Sequence, residues 1–135
     1  MVHVTVRNLH HAFAQHWKAA GPADSPRHAS HRLLLWYAAE CGARYAVLRA
    51  RRANSTECLS EQELGHDLRV LLGCLYPPAD LRPPRLHVAV RSGHAQEISI
   101  SRWHEAWRYG LPLHPGEEPK VEAWLDKVCH WLASR

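Results

Sequence analysis

Between Pro26 and Arg52 the chain contains no proline, and its apolar residues keep helical spacing throughout. Leu34, Tyr37, Ala38, Cys41, Tyr45 and Leu48 are separated by three, one, three, four and three positions, which aligns them on one face of an α-helix. Leu33, Trp36 and Val47 widen that stripe. A helix apolar over so much of its girth has to be covered by others. The stretch therefore predicts a single rod over 26–52 at the middle of an all-helical assembly. Ser25 is placed to cap it, with Pro26 in its first turn. The closing run Arg49-Ala50-Arg51-Arg52 sets cations at the negative end of the helix dipole.

The remaining helices are bounded by proline and glycine breaks, AAGPADSP, YPPADLRPP and GLPLHPGEEP. Asn8 is the expected cap of a first helix to Ala20, on which Leu9, Phe13 and Trp17 share a face; the alternating Val2, Val4 and Val6 before it also fit a short strand. Ser60-Glu61-Gln62-Glu63 reads as a capping box opening a third helix through Leu64, Leu68, Leu71, Leu72 and Leu75, stopped at Tyr76-Pro77-Pro78. Ser101 caps a short helix, RWHEAWRY, that Gly110 ends, and a last helix follows Pro119 with Val121, Trp124, Leu125, Val128 and Leu132 as its stripe. Between the third and fourth helices, Leu86, Val88 and Val90 alternate, as do Ile98 and Ile100. A three-residue Ser92-Gly93-His94 loop would pair Val88 with Ile98 and Leu86 with Ile100, setting apolar partners on one face. The expected fold is mainly α: one domain over 1–135, about five helices, and a small β-hairpin inserted at about 86–100.

The second helix carries more than periodicity. SHRLLLWYAAECGARYAVLRAR, residues 30–51, runs from an apolar stretch (Leu33 to Tyr37) through Ala38-Ala39 and the acidic Glu40 to a small, basic and leucine-rich finish (Gly42 to Leu48). In that order of elements it resembles the core helix of HEPN domains. The resemblance implies a small helical bundle that dimerises, and in many members a metal-independent endoribonuclease of toxin–antitoxin or antiviral systems. Its active pair there is an arginine and a histidine with four to six residues between them, presented twice across the dimer. Other members lack the pair and serve as scaffolds.

Two arginine–histidine pairs in this chain have that spacing, Arg82 with His87 and Arg108 with His114. With fourteen arginines and twelve histidines in 135 residues, chance alone supplies about four, so context must choose. Arg82 and His87 span Pro83-Pro84, which cannot be helical there. Arg108 lies at a helix end, and Gly110 and Pro112 bend the chain towards His114. The residue after the arginine, polar in the family, is Tyr109 here. The chemistry suits RNA: a histidine moves protons at the ribose or the leaving oxygen, and an arginine steadies charge on the phosphate.

A rival grouping sits one turn earlier. His104 and Arg108 are four apart and could face a phosphate together, with Trp107 or Tyr109 as a stacking surface for a base; alternatively the tryptophans are core anchors and His104 is a boundary residue. Arg49, Arg51 and Arg52 could grip phosphates, or form a solvated helix end. Glu40 and Arg44, also four apart, read as an intrahelical ion pair or as a polar element of a dimeric cleft. His28 and His31 make half a metal site without a fixed third ligand.

The other classes recede. There is no phosphate-binding glycine loop, GxSxG or HExxH. The four cysteines form no CxxC pair, so neither a disulfide scaffold nor a cysteine zinc site is expected. A net charge of +4 is compatible with a nucleic-acid partner without demanding one. The N-terminal MVHVTVRNLHH lacks the apolar run of a signal peptide, and no membrane span is visible, which points to a cytoplasmic protein. The leading expectation is a homodimeric, RNA-directed, metal-independent endoribonuclease without cofactor. The alternatives are a non-catalytic scaffold that holds a partner protein, an antitoxin or a defence-complex subunit, and a DNA-binding or sensory module.

Overall fold

A computed structural model describes residues 2–89 and 95–135. Its elements, in chain order, are α1 (Val6–Ala19), α2 (Ala29–Ala50), α3 (Leu68–Gly73), α4 (Trp103–Arg108) and α5 (Glu118–Ala133), with short 3₁₀ turns at Thr56–Cys58, Ala79–Leu81 and Ile100–Arg102. One cluster of buried apolar side chains draws on all five helices. No helix of the described residues is long and apolar enough to cross a membrane.

The long rod is present and central: α2 packs against each of the other four helices. Its deepest residues, Leu35, Trp36, Ala38, Ala39, Ala43, Val47 and Leu48, occupy more than one face. The stripe of Leu34, Tyr37, Cys41 and Tyr45 is only partly buried. The seam is thus rotated from the one that spacing alone selects, because α1, α4 and α5 wrap α2 from several sides. Gly42 lies where α1 presses closest. A Cβ there would meet the Phe13 ring at 3.0 Å, so the conformational cost of a helical glycine is offset by the approach of an aromatic ring.

Helix starts differ from the expected ones for identifiable reasons. Thr5, not Asn8, caps α1, and Asn8 closes the reciprocal box by accepting the Thr5 N–H at 3.1 Å. Val4 and Val6 form no strand; their backbones zip onto Asn54 and Thr56 instead. The start of α2 is delayed from Ser25-Pro26 to a cap at His28, because Arg27 is spent on contacts described below. The Ser60–Glu63 box exists, with Ser60 N–H donating to Glu63 at 2.8 Å and Glu63 N–H to Ser60 Oγ at 3.2 Å. It closes only a turn: α3 restarts at Asp67, whose side chain accepts the Arg69 N–H.

No β-hairpin is shown. Among the described residues 86–89 and 95–100 there are isolated bridges and no strand. Val88 N–H donates to Gln96 and Ile98 N–H to Leu86, so Leu86 faces Ile98 rather than Ile100. Two influences displace the expected pairing. Ile100 is taken into the 3₁₀ turn that leads into α4, and the other side of Val88 and Ala89 is bridged by Pro112 and Leu113. The expected Ser92-Gly93-His94 loop lies outside the described residues. Gly110, at φ +66°, ends α4, and Leu111 N–H donates back to Ala106 at 2.9 Å, a glycine-terminated helix end. On α5 the expected stripe is buried: Val121, Trp124, Leu125, Val128 and Leu132.

Candidate functional site

The break before α3 creates the site. A helix continuing from Ser60 would need the carbonyls of Leu64 and Gly65 for its own hydrogen bonds. Both are taken by Arg44, whose Nη2 donates to them at 2.8 and 2.9 Å. The chain turns there, and the turn carries His66 onto α2. Arg44 also grips Glu40 one helical turn away, at 2.7 Å. The second carboxylate oxygen of Glu40 lies 3.4 Å from His66 Nδ1.

From α4, His104 arrives beside them. Its ring centroid is 4.4 Å from that of His66 and 4.7 Å from that of Trp36. His104 is 3% exposed, whereas the His66 side chain is 50% exposed. The three rings form a triangle, since His66 also lies 5.8 Å from the Trp36 centroid; Trp36 and His104 are buried, His66 is half exposed, and the Glu40–Arg44 pair lies alongside. Arg108, one turn further along α4 and exposed, donates from Nη2 to the Tyr37 hydroxyl of α2.

The electrostatics follow from burial. Loss of water holds the His104 imidazole below its ordinary pKa; the His66 and Arg108 charges add to this and Glu105 opposes it. His104 is consequently neutral at neutral pH. Burial pushes Glu40 up from the usual carboxylate value, against the pull of Arg44 and His66. Four buried side-chain atoms among the described residues lack a hydrogen-bond partner: Trp36 Nε1, Arg44 Nε, His104 Nδ1 and Trp107 Nε1. All four belong to α2 and α4. Three of them, on Trp36, Arg44 and His104, belong to or touch this cluster.

The structure joins some of the sequence-predicted residues and separates others. His104 and Arg108 share one helix and one electrostatic environment. His114 belongs elsewhere. Its N–H donates to the His87 carbonyl at 3.0 Å, its Nδ1 accepts from Gly116 at 3.1 Å, and its carbonyl receives the N–H groups of Glu117 and Glu118 at the start of α5. No hydrogen bond links it to Arg108. Trp107 is 4% exposed, so its ring is packed in the core rather than offered to a base, while Tyr109 is 72% exposed. The arginine trio divides as well. Arg51 forks onto Glu63, Arg49 donates to the Tyr45 hydroxyl at 2.9 Å, and Arg52, at φ +55°, ends the helix region exposed. His28 and His31 stand with ring centroids 5.5 Å apart, the His28 N–H donating to His31 Nδ1 at 3.0 Å. No group of three metal-ligating side chains is assembled among the described residues, and all four cysteines are free.

His66 is the member that sequence reasoning missed. Its partners lie 26 and 38 positions away, at Glu40 and His104, so no local spacing announces it. The one available signal was Gly65 beside Asp67, a helix break with its own cap.

Comparison with protein-family models, with curated proteins and with solved structures found no match.

Proposed function

We propose that this chain is a HEPN-like helical domain acting on RNA as a metal-independent endoribonuclease, with His66 moving the proton and Arg108 anchoring the phosphate. The observation that carries the reading is the Glu40–His66–His104 cluster, with the exposed Arg108 one turn along α4 from His104. A carboxylate behind an imidazole fixes the ring and its tautomer. With His66 Nδ1 directed at Glu40, Nε2 is the nitrogen left for substrate. In RNA cleavage the ribose 2′-oxygen attacks phosphorus and its proton passes to a base. The bond from phosphorus to the 5′-oxygen breaks, that oxygen takes a proton, and the products are a 2′,3′-cyclic phosphate and a 5′-hydroxyl. An imidazole can carry out either transfer, and a guanidinium stabilises the extra charge on the phosphoryl oxygens. His104 is a positioning residue whose buried ring packs at a tilt against that of His66. Pairing of two copies would bring a second such cluster to the same strand. The setting, toxin–antitoxin or antiviral defence, rests on the resemblance of residues 30–51 alone.

The test is cleavage of a labelled RNA in EDTA, with products identified by mass. His66→Ala lowers the rate by about 10²–10⁴-fold, Arg108→Ala abolishes cutting, and His114→Ala leaves it intact, the folds being checked by circular dichroism. Loss of activity in His114→Ala with retention in His66→Ala would return the site to the pair expected from spacing.

A specific observation favours a second reading, a non-catalytic scaffold. Tyr109 and Leu111, 72% and 46% exposed, offer apolar surface just past α4 that suits a protein partner. Absence of cleavage in every condition, with a partner lost on Tyr109→Ser, would select it.

A further inference from the structure

A second surface, built by α1, α2 and the end of α5, has the chemistry of a strand-binding groove. His10 of α1 stacks on Tyr45 of α2, with centroids 4.7 Å apart and planes 25° from parallel. Arg49 lies over the other part of that assembly, 5.7 Å from the Tyr45 centroid, and bonds its hydroxyl. At the chain's end Arg135 lies 4.9 Å over the Trp131 ring. Two cavities flank the His10–Tyr45 stack. One, of about 240 Å³, is lined by Tyr45, Arg49, Leu132 and Arg135 among others. The other, of about 470 Å³, is lined by Arg7, Asn8, His10, His11 and Ala14. No carboxylate side chain lines either cavity. Arg7 and Arg49 take part in no ion pair among the described residues, whereas Arg27, Arg32, Arg44 and Arg51 are all engaged by acids.

From this we infer that the α1–α2–α5 face binds a single-stranded polynucleotide. Arg7 and Arg49 take the phosphodiester backbone, and the His10–Tyr45 stack takes an unstacked base. Arg7 and Arg49, cations without an ion pair, together with the exposed His10 ring backed by Tyr45 fit this ligand, because each repeat of such a strand carries one negative charge and one flat aromatic face. A duplex hides its base faces and has no use for the stack. The surface shares no residue with the Glu40–His66–His104 cluster, so it stands or falls separately from the cleavage reading.

The test is fluorescence anisotropy in EDTA with an oligouridine of about twelve nucleotides, a DNA strand of the same length and a duplex RNA. The His66→Ala protein is used throughout, so that cleavage cannot distort binding. Tyr45→Ala and Arg49→Ala each weaken strand binding about tenfold, while Tyr45→Phe, which keeps the ring, stays within about twofold. Arg7→Ala lowers the slope of log affinity against log salt by about one. Equal binding of RNA and DNA shows recognition of backbone and base faces; preference for RNA adds recognition of the 2′-hydroxyl; either supports the inference. It is overturned by unchanged affinity in folded Tyr45→Ala and Arg49→Ala. It is equally overturned by tighter binding of the duplex, or by retention on phosphatidylserine vesicles with no strand binding.

Discussion

Two polar clusters are built against α2, and they are satisfied to very different degrees. Just before the helix, Arg27 is buried to the last few per cent, its side chain 1% exposed. Its guanidinium makes five hydrogen bonds: two to Asp126 at 2.6 and 3.0 Å, one to Glu122, and one each to the carbonyls of Ala20 and Gly21. A guanidinium has five N–H groups, so none is left over. In the middle of the helix, the Glu40–His66–His104 cluster includes or touches three of the four buried side-chain atoms without a protein partner among the described residues, those of Trp36, Arg44 and His104. The first cluster closes the joint between the α1–α2 connection and α5, and asks nothing of any ligand. The second keeps polar capacity in reserve at a rim open to solvent through His66 and Arg108. Polar burial by itself is therefore a poor guide to function, and incomplete satisfaction beside an accessible group is a better one.

The largest effect separating the two belongs to Arg27. Its removal strands Asp126, 8% exposed, without its counter-charge, and breaking one side of a buried pair costs about 3–5 kcal/mol. Arg27→Ala should lower the melting temperature by roughly 10–20 °C. Arg27→Lys should recover only a minor part, because one ammonium cannot reproduce the fork onto Asp126 together with both carbonyls. Calorimetry decides the matter: an Arg27→Lys protein as stable as the parent would mean that the fork is dispensable and the contrast between the clusters overstated.

Between the extremes stands Arg51 with Glu63, a pair whose guanidinium is 40% exposed. Arg51 is the main cause holding the Glu63 carboxyl down at about 2, with burial opposing it and the Ser60 backbone assisting. A carboxylate whose folded pKa is depressed stabilises the fold above its unfolded value, and that contribution disappears as pH falls from about 4.5 to about 2. After allowance for solvent screening of the exposed arginine, Glu63→Gln should cost about 1–2 kcal/mol at pH 7. Urea titrations of the two proteins should converge as the pH approaches 2. A gap that persists at low pH would assign the loss to the capping turn rather than to the ion pair.

How much of this was readable beforehand follows from the range over which each contact acts. The α2 rod and the α5 stripe were legible, since their periodicity is a local property that packing confirms. The capping box at Ser60 was legible too, but the helix expected from it was not, because Arg44, sixteen residues earlier, takes the carbonyls that the helix needed. Arg27 falls within the rod expected over 26–52, and nothing local marks it out, because its acidic partners lie 95 and 99 positions away. In the candidate site, His104 and Arg108 are brought together by helical spacing. His66 is placed by a tertiary turn that no local spacing announces, and His114, paired with Arg108 by spacing, sits where its carbonyl accepts the first N–H groups of α5. Fold signals are short-ranged in this chain, whereas the chemistry is assembled across it.

The smallest expected effect is also the sharpest test of the comparison. If the central cluster is held in reserve for function, replacing its buried imidazole should cost the fold almost nothing. His104→Phe keeps a flat ring against Trp36 and removes the unpartnered Nδ1. Exchanging an unsatisfied buried polar atom for an apolar one offsets the slight overpacking, so stability at pH 7 should change by less than about 1 kcal/mol. The pH dependence has a definite sign. His104 is depressed when folded, by burial first and then by His66 and Arg108, and its protonation on acidification therefore favours the unfolded chain. Parent stability carries that loss as pH falls below the unfolded histidine value of about 6.5. The Phe variant lacks it, and the histidines that do not touch His104 cancel in the difference. Denaturation curves from pH 7.5 to pH 5 should thus show the variant gaining on the parent as pH drops, roughly tracking the depression of His104. A variant that is several kcal/mol less stable at every pH would show that His104 is a core support like Arg27, and the distinction between a satisfied cluster and a reserved one would not survive.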